Sequence, residues 1–338
     1  MTTTLRTLAS FGSLALLLGC GTEADRRLVG ALSADATSNY SPWSEPVSLD
    51  PPINLPGVDD RQAVLSKDGL SLYFASNRPG TLGTQGFVDI WVSQRACADA
   101  TCPWGTPVSL GPTVNSSASD FAPALSRDEH WLFFGSGRPG ARSGDIWVSF
   151  RANVHDDIGW EAPVNVGTGV NTAGFEGGPA YFENDDAGMP QLSFNRNVLP
   201  VNTGGDIYVS EQALDGSWGT AVPVLELNTD STDQHPSVAP NGLEIYFHSN
   251  RLGSTLNPAG TSTSNDIWVA TRESVLAPWS VPTNLGAPIN TRADESGAFI
   301  YSHGRTEELY FTRIVATVPA MDRDIFVSTR TRGGIGPQ

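Results

Sequence analysis

The sequence predicts an all-β protein, a five-bladed β-propeller of four-stranded antiparallel blades, and three repeated patterns carry that prediction. An aromatic segment recurs as "SLYFASNRPG" at 71–80, "WLFFGSGRPG" at 131–140, "QLSFNRNVLP" at 191–200, "EIYFHSNRLG" at 244–253 and "ELYFTRIVAT" at 308–317. Behind each comes an acid-led strand: "DIWVS" at 89, "DIWVS" at 145, "DIYVS" at 206, "DIWVA" at 266 and "DIFVS" at 324. A third segment opens on Trp43, Trp104, Trp160, Trp218 and Trp279, spaced 61, 56, 58 and 61 residues apart. Self-similarity at such a period means one supersecondary unit per repeat, stacked on its neighbours.

Taken in chain order, residues 1–19 read as a targeting segment. Arg6 is the only charge before an apolar run from Leu8 to Leu18, which is too short to cross a bilayer. Residues 20–41 are polar and small, as expected of a tether. Each repeat then supplies four short strands, a to d, as in "RQAVLS", "LSLYFAS", "DIWVSQ" and "WGTPVSL". Turns such as "KDG" at 67–69 and "PNG" at 240–242 suit tight hairpins between them. Four strands cannot bury both faces alone, whereas radial stacking around an axis buries them and protects the edges.

The two ends set the count. The first Trp segment, 43–49, precedes any a strand, and the last unit stops near Arg332 without a Trp segment after it. The N-terminal strand 43–49 is therefore expected to pair beside "DIFVS" of the last blade and close the ring over 42–332. Residues 333–338 remain as a tail.

The formal charge of −16 repels phosphate backbones, so a nucleic-acid partner is excluded. With 35 Gly and 24 Pro the chain is rich in turns, and no G-x-S-x-G, H-E-x-x-H or Walker motif appears. Of three cysteines, Cys97 and Cys102 share one short loop, "RACADATCPW". In an oxidising compartment they are expected to pair as a disulfide. A metal site there is the poorer reading, because no His lies nearby.

Two stretches resemble known families. "LLGC" at 17–20 resembles the lipobox of bacterial lipoproteins, which implies cleavage before Cys20 and lipidation of its thiol. "LSKDGLSLYFASNRPG", followed by "DIWVS", resembles the WD40-like repeat of the C-terminal domain of the periplasmic protein TolB and of envelope lipoproteins. These resemblances imply a lipid-anchored protein of the bacterial cell envelope, on the periplasmic side or surface of the outer membrane. They imply as partners the membrane, through the anchor, and an envelope protein, peptide or glycan. The N-terminal domain of TolB has no counterpart here.

In a propeller the acid before strand a, the Arg ending strand b and the Asp opening strand c reach one face. Blade by blade these are Asp60, Arg78 and Asp89; Asp120, Arg138 and Asp145; Glu176, Arg196 and Asp206; Asp233, Arg251 and Asp266; Glu295, Arg313 and Asp324. An Arg fork suits carboxylates, and repetition in every blade points to a structural clamp between the Arg and the strand-c Asp. The five pre-strand acids are expected near one channel mouth, where like charges need compensation. Binding is assigned to Asp120, Glu176, Asp233, Glu295 and His235, the one imidazole near the acids. No cofactor is called for; a calcium-like ion on the acids is the alternative. Variable strand b–c loops on this face, such as "NVLPVNTGG" at 197–205 and "GSTLNPAGTSTSN" at 253–265, are where recognition is expected.

Three functions follow. The leading expectation is a non-catalytic envelope module that binds a protein, peptide or glycan through the loop-rich face. The second is a glycan-active, glycosidase-like enzyme with Asp60, Asp120, Glu176, Asp233 and Glu295 as candidate catalytic acids. The third is a structural component of a TolB-like envelope assembly.

Overall fold

The computed structural model describes residues 40–333, apart from 84–85, 100–101, 142, 184, 187, 198–203 and 317–321. The segment expected to be a signal peptide, the expected lipidation site Cys20, most of the expected tether and nearly all of the tail therefore lie outside the described residues. The aromatic segments form strands because each is sandwiched between two neighbouring blades. Leu72, Tyr73, Phe74 and Ala75 are all 0% exposed. A strand buried on both faces reads as a continuous apolar run, not as an alternation.

Blade 1 contains β2 (Asp60–Leu65), β3 (Ser71–Ser76), β4 (Asp89–Gln94) and β5 (Val108–Ser109). Blade 2 contains β6 (Asp120–Leu125), β7 (Trp131–Ser136), β8 (Asp145–Phe150) and β9 (Val164–Asn165). In blade 3 they are β10 (Phe175–Phe182), β11 (Gln191–Asn197), β12 (Asp206–Glu211) and β13 (Val222–Pro223). Blade 4 has β14 (Asp233–Val238), β15 (Glu244–Ser249), β16 (Asp266–Thr271) and β17 (Thr283–Asn284). Blade 5 has β18 (Glu295–His303), β19 (Thr306–Ala316) and β20 (Asp322–Thr331), and is completed by β1 (Val47–Ser48) from the start of the described chain. Val47 pairs with Val327 and Ser48 with Phe326, antiparallel. The ring closes as the sequence predicts.

The core lies between blades. Leu72 and Phe74 of β3 pack with Tyr310 and Ile325 of blade 5, while Tyr73 of the same strand packs with Leu132 and Phe134 of blade 2. Alternate side chains of one strand thus serve two different interfaces. The outermost strands are shorter than the seven-residue Trp segments suggest. Each ladder is two residues long, and Pro46, Pro107, Pro163 and Pro282, just before four of them, have no N–H to extend the pairing. The Trp rings instead lie under arginines that follow strand c: Arg95 over Trp104 at 4.4 Å, Arg151 over Trp160 at 4.4 Å and Arg272 over Trp279 at 4.1 Å.

One hydrogen-bonded staple recurs at every blade junction. Asn54, Asn115, Asn171, Asn228 and Asn290, in the links from strand d to strand a, each accept from the amide and donate to the carbonyl of the Ile in strand c of the preceding blade, at 2.8–3.0 Å. The carbonyl one residue before that Asn accepts from the Arg of the following blade: Ile53 from Arg78, Val114 from Arg138, Val170 from Arg196, Leu227 from Arg251 and Ile289 from Arg313. The same Arg pairs with the acid that opens its own strand a, at 2.7 Å for Asp60 and Asp120, 2.8 Å for Glu176 and 2.7 Å for Glu295, and likewise Arg251 with Asp233.

This corrects the predicted clamp. The Arg grips the pre-strand acid, not the strand-c Asp. In blades 1, 2 and 4 the Ser hydroxyl ending strand b accepts Nε, as Ser76 does for Arg78 at 2.9 Å, and leaves Nη2 for the acid; in blades 3 and 5 the longer Glu takes Nε itself. The strand-c acids cap loops and outer strands instead. Asp89 accepts from the Leu82 amide, and Asp145 and Asp266 accept from Asn165 and Asn284, all at 2.7 Å. Cys97 and Cys102 form the expected disulfide.

The staple predicts a steep contrast in stability. Arg138→Met strands the fully buried Asp120 carboxylate and is expected to cost about 3–5 kcal/mol in urea unfolding. Arg127→Met removes only the exposed pair with Asp185 and is expected to cost less than about 1 kcal/mol. Equal costs for the two would refute the staple's role.

Candidate functional site at the channel mouth

The inner strands bend into the channel at equivalent positions. Each carries a register shift two residues after its acid, where Gln62, Ala122, Gly178, His235 and Gly297 adopt left-handed backbone with φ of 51–58°. These five residues ring a narrow cavity of about 80 Å³. Gly178 is required there: a Cβ would lie 2.7 Å from Asn195 Oδ1 and 3.0 Å from the His235 ring.

His235 fills the constriction together with Gln62, whose Nε2 lies 3.2 Å from Nε2 and 3.3 Å from Nδ1 of the imidazole. The His248 ring sits 5.2 Å away. The bulge in β14 is what brings the two rings together. Burial, assisted by the nearby Arg61 cation, pushes the His235 imidazole down to about 4. Burial, then His235, holds His248 well below the ordinary imidazole range. Both rings are neutral at pH 7, and the pair plugs the channel with uncharged polar groups.

The five pre-strand acids do not face this channel. All are 0% exposed, with one oxygen on the Arg and the carboxylate also accepting from a link amide, from Leu55 at 3.0 Å in blade 1 to Thr291 at 3.0 Å in blade 5. Desolvation raises Asp60 and Glu295 despite their Arg partners. The expected ring of converging carboxylates therefore does not form. Its compensation is internal, and no group of three or more metal-type ligands occurs among the described residues.

What reaches the mouth is less symmetric. One residue after each acid stand Arg61, Phe121, Gly177, Gln234 and Ser296. Arg61 Nη1 lies 3.4 Å from Asp59 Oδ2, and Arg323 Nη1 lies 2.9 Å from the same oxygen. Phe121 stacks on Phe175 with centroids 6.0 Å apart and planes 4° from parallel, both half-buried. Seven buried polar atoms on this face have no hydrogen-bond partner among the described residues: Asp59 Oδ1, Arg61 Nε, Asp89 Oδ1, Asn197 Oδ1, Asp206 Oδ1, Asn265 Oδ1 and Asp322 Oδ1. Buried polar atoms are normally satisfied by protein or ordered water, so these are the places where the mouth takes up water or a ligand.

Beside the mouth, at the seam where β1 closes blade 5, lies a cleft of about 290 Å³ lined in part by Ser48, Asn54, Asp322 and Asp324. Asp324 is pushed up to about 6, first by desolvation and then by Asp322 and Asp60. Its counterparts Asp145 and Asp266 are capped by an Asn amide at 2.7 Å, whereas Asp324 has only the Ser48 hydroxyl at 3.5 Å. Asp89 and Asp206 are also raised, Asp89 to about 6, but Asp89 is fully buried. Asp322 and the mouth residues Asp59, Arg61 and Arg323 were not singled out by sequence reasoning. Aligning the repeats one residue past each acid exposes the break at Arg61, but nothing local marks Asp59 or Asp322.

No family model and no curated protein matches the sequence. Solved structures with this fold do. A chain described as a glycoside hydrolase shares 11% identity at a TM-score of 0.61, covering 91% of this chain and 97% of its own. A thermostable family-43 glycoside hydrolase shares 13% at 0.57, covering 85% and 97%. The catalytic domain of the Coprinopsis cinerea GH62 α-L-arabinofuranosidase shares 12% at 0.56, covering 86% and 97%. At these identities the likeness establishes the five-bladed fold.

The likeness also corrects two expectations. The WD40-like, TolB-type resemblance is overturned, since the matching propellers are glycoside hydrolases and no repeat family matches. The expectation of a non-catalytic module is corrected in the same direction, since the matching propellers are glycoside hydrolases and back the glycan-active alternative better, and the TolB-like assembly role goes with the resemblance it rested on. Nothing in these matches supports the lipoprotein reading.

The His235 environment yields a pH prediction. Its folded pKa lies below the unfolded value of 6.5, so it favours folding above pH 6.5 and withdraws about 2–3 kcal/mol as pH falls toward 4. Asp89 and Asp324, raised in the fold, act oppositely between about 4 and 6. His235→Asn should therefore lose less stability than the unaltered chain between pH 6.5 and 4.5 in chemical unfolding. Parallel pH profiles would contradict the buried-neutral assignment.

Proposed function

We propose that the protein is a glycan-active enzyme that hydrolyses a glycosidic bond at the seam between blades 5 and 1, with the sugar chain lying across the loop-rich mouth. The observation that carries this reading is the Asp322–Asp324 pair in one cleft. Glycosidic hydrolysis needs one carboxyl that stays protonated and one that is ionised. Desolvation keeps Asp324 protonated up to about 6, which suits a general acid. Asp322 offers an unpartnered Oδ1, while its Oδ2 is fixed by the Gly57 amide at 3.0 Å. Two residues apart on β20, they project to the same side of the strand, and Asp322 acts electrostatically on Asp324, as the paired carboxyls of a glycosidase must.

The fold supports the same class, because the propellers it resembles are described as arabinofuranosidases and arabinanases. The acids named from the sequence, Asp60, Asp120, Glu176, Asp233 and Glu295, serve in this reading as blade staples. A disulfide such as Cys97–Cys102 persists in oxidising compartments, which suits an enzyme acting on glycans outside the cytoplasm.

The test is reducing-sugar release from a panel of arabinan, xylan and pectic oligosaccharides. Asp324→Asn is expected to lower kcat about 10²-fold or more with little change in melting temperature. The rate of the unaltered enzyme should fall as pH rises through about 6, when Asp324 loses its proton. Undiminished cleavage by Asp324→Asn, or no cleavage of any panel member, would refute the proposal.

A further inference from the structure

We infer that Arg61 and Arg323 form a subsite for the carboxylate of a hexuronic acid residue, so that the glycan taken by this mouth is an acidic one. The inference rests on the glycan-active reading above and deepens it. Two guanidiniums here share a single carboxylate oxygen, Asp59 Oδ2, at 3.4 Å from Arg61 and 2.9 Å from Arg323. The pairing is incomplete on both sides, since Arg61 Nε and Asp59 Oδ1 have no partner among the described residues. An Arg fork is planar and suited to a two-point grip on a carboxylate. The arginines of the five blade staples, by contrast, leave no buried nitrogen without a partner. Arg78, for example, holds Ser76, Ile53 O, Pro52 O and Asp60. Arg61 is the exception at the mouth, and it stays partly exposed there.

The electrostatics agree with the geometry. Burial, and then the like charge of Arg323, disfavour the Arg61 cation, and Asp59 alone opposes them. A second carboxylate lying between the two guanidiniums would relieve that repulsion. In a chain of net charge −16 a paired cation at the mouth is not a general means of attracting anions; it acts at short range. The aromatic pair spans the next two blades, Phe121 on blade 2 and Phe175 on blade 3, and blade 2 is tied to the Arg61 side by the Ala122 amide donating to Gln62 Oε1 at 3.1 Å. One mouth therefore offers an apolar ring face and a carboxylate grip, which are the two ends of a pyranose bearing a C5 carboxyl.

Calorimetric titration of the full chain with trigalacturonate, its methyl ester and a neutral arabinotriose tests this. At low salt the free acid is expected to bind at least tenfold tighter than its ester. Arg61→Gln should erase that preference while leaving ester binding and melting temperature unchanged, and Arg323→Gln should reduce it. Equal affinity for acid and ester, or an unaltered preference in Arg61→Gln, overturns the subsite. If the neutral sugars still bind or are cleaved in that case, the glycan-active reading survives. If none of the three sugars binds, both fall.

Discussion

The fold depends on a carboxylate buried at every blade junction, which is tolerable only because an Arg meets it. An ionised carboxylate without a partner is among the most costly groups a protein interior can hold. Here the Arg also takes the carbonyl that precedes the linking Asn, and that Asn is locked to strand c of the preceding blade. A single charged pair thereby fixes three pieces of backbone: the new blade's inner strand, the link, and the old blade's third strand. Five repetitions set the spacing between blades, and the aromatic side chains fill what that spacing leaves.

This arrangement decides where chemistry can occur. Acids that repeat in every blade are consumed by the ring, fully enclosed and already paired. Function is left to positions where the repeat is broken, and some of those lie at the seam between the first and last blades. There the closing strand supplies Ser48, as blade 1 supplies Ser109, where blades 2 and 4 supply Asn165 and Asn284; Asp324 and Asp89 both keep their protons longer than a free carboxylate, and of the two only Asp324 is partly exposed. The same seam brings Asp59 beside Arg323 through a parallel bridge between residues far apart in sequence.

Most of the fold was legible in the sequence. The Trp spacing, the unbroken apolar runs and the unmatched ends give the blade number and the pairing of 43–49 with "DIFVS". Strand d was over-read because Trp is conspicuous in sequence, while the preceding Pro that shortens the ladder is not. The Arg was assigned the wrong acid because both candidates reach the same face, and what distinguishes them is contact detail: a strand-end hydroxyl on Nε in blades 1, 2 and 4, and a Glu long enough to take Nε in blades 3 and 5. The site was mostly illegible. His235 was found, but its burial against Gln62 and His248 follows from a left-handed bulge that no local pattern announces. The WD40-like motif misled for a related reason. It encodes how blades pack, which unrelated propellers share, and so says little about what the mouth does.

A double-mutant cycle on Asp233 and Arg251 tests the staple most directly, using Asp233→Leu, Arg251→Met and the pair together in urea unfolding. Each single change leaves a buried group without its partner, whereas the double change removes both charges. The account predicts that the double variant loses about 2 kcal/mol or more less than the sum of the singles. Costs that add to within about 0.5 kcal/mol would show that the two residues act independently, and would contradict it.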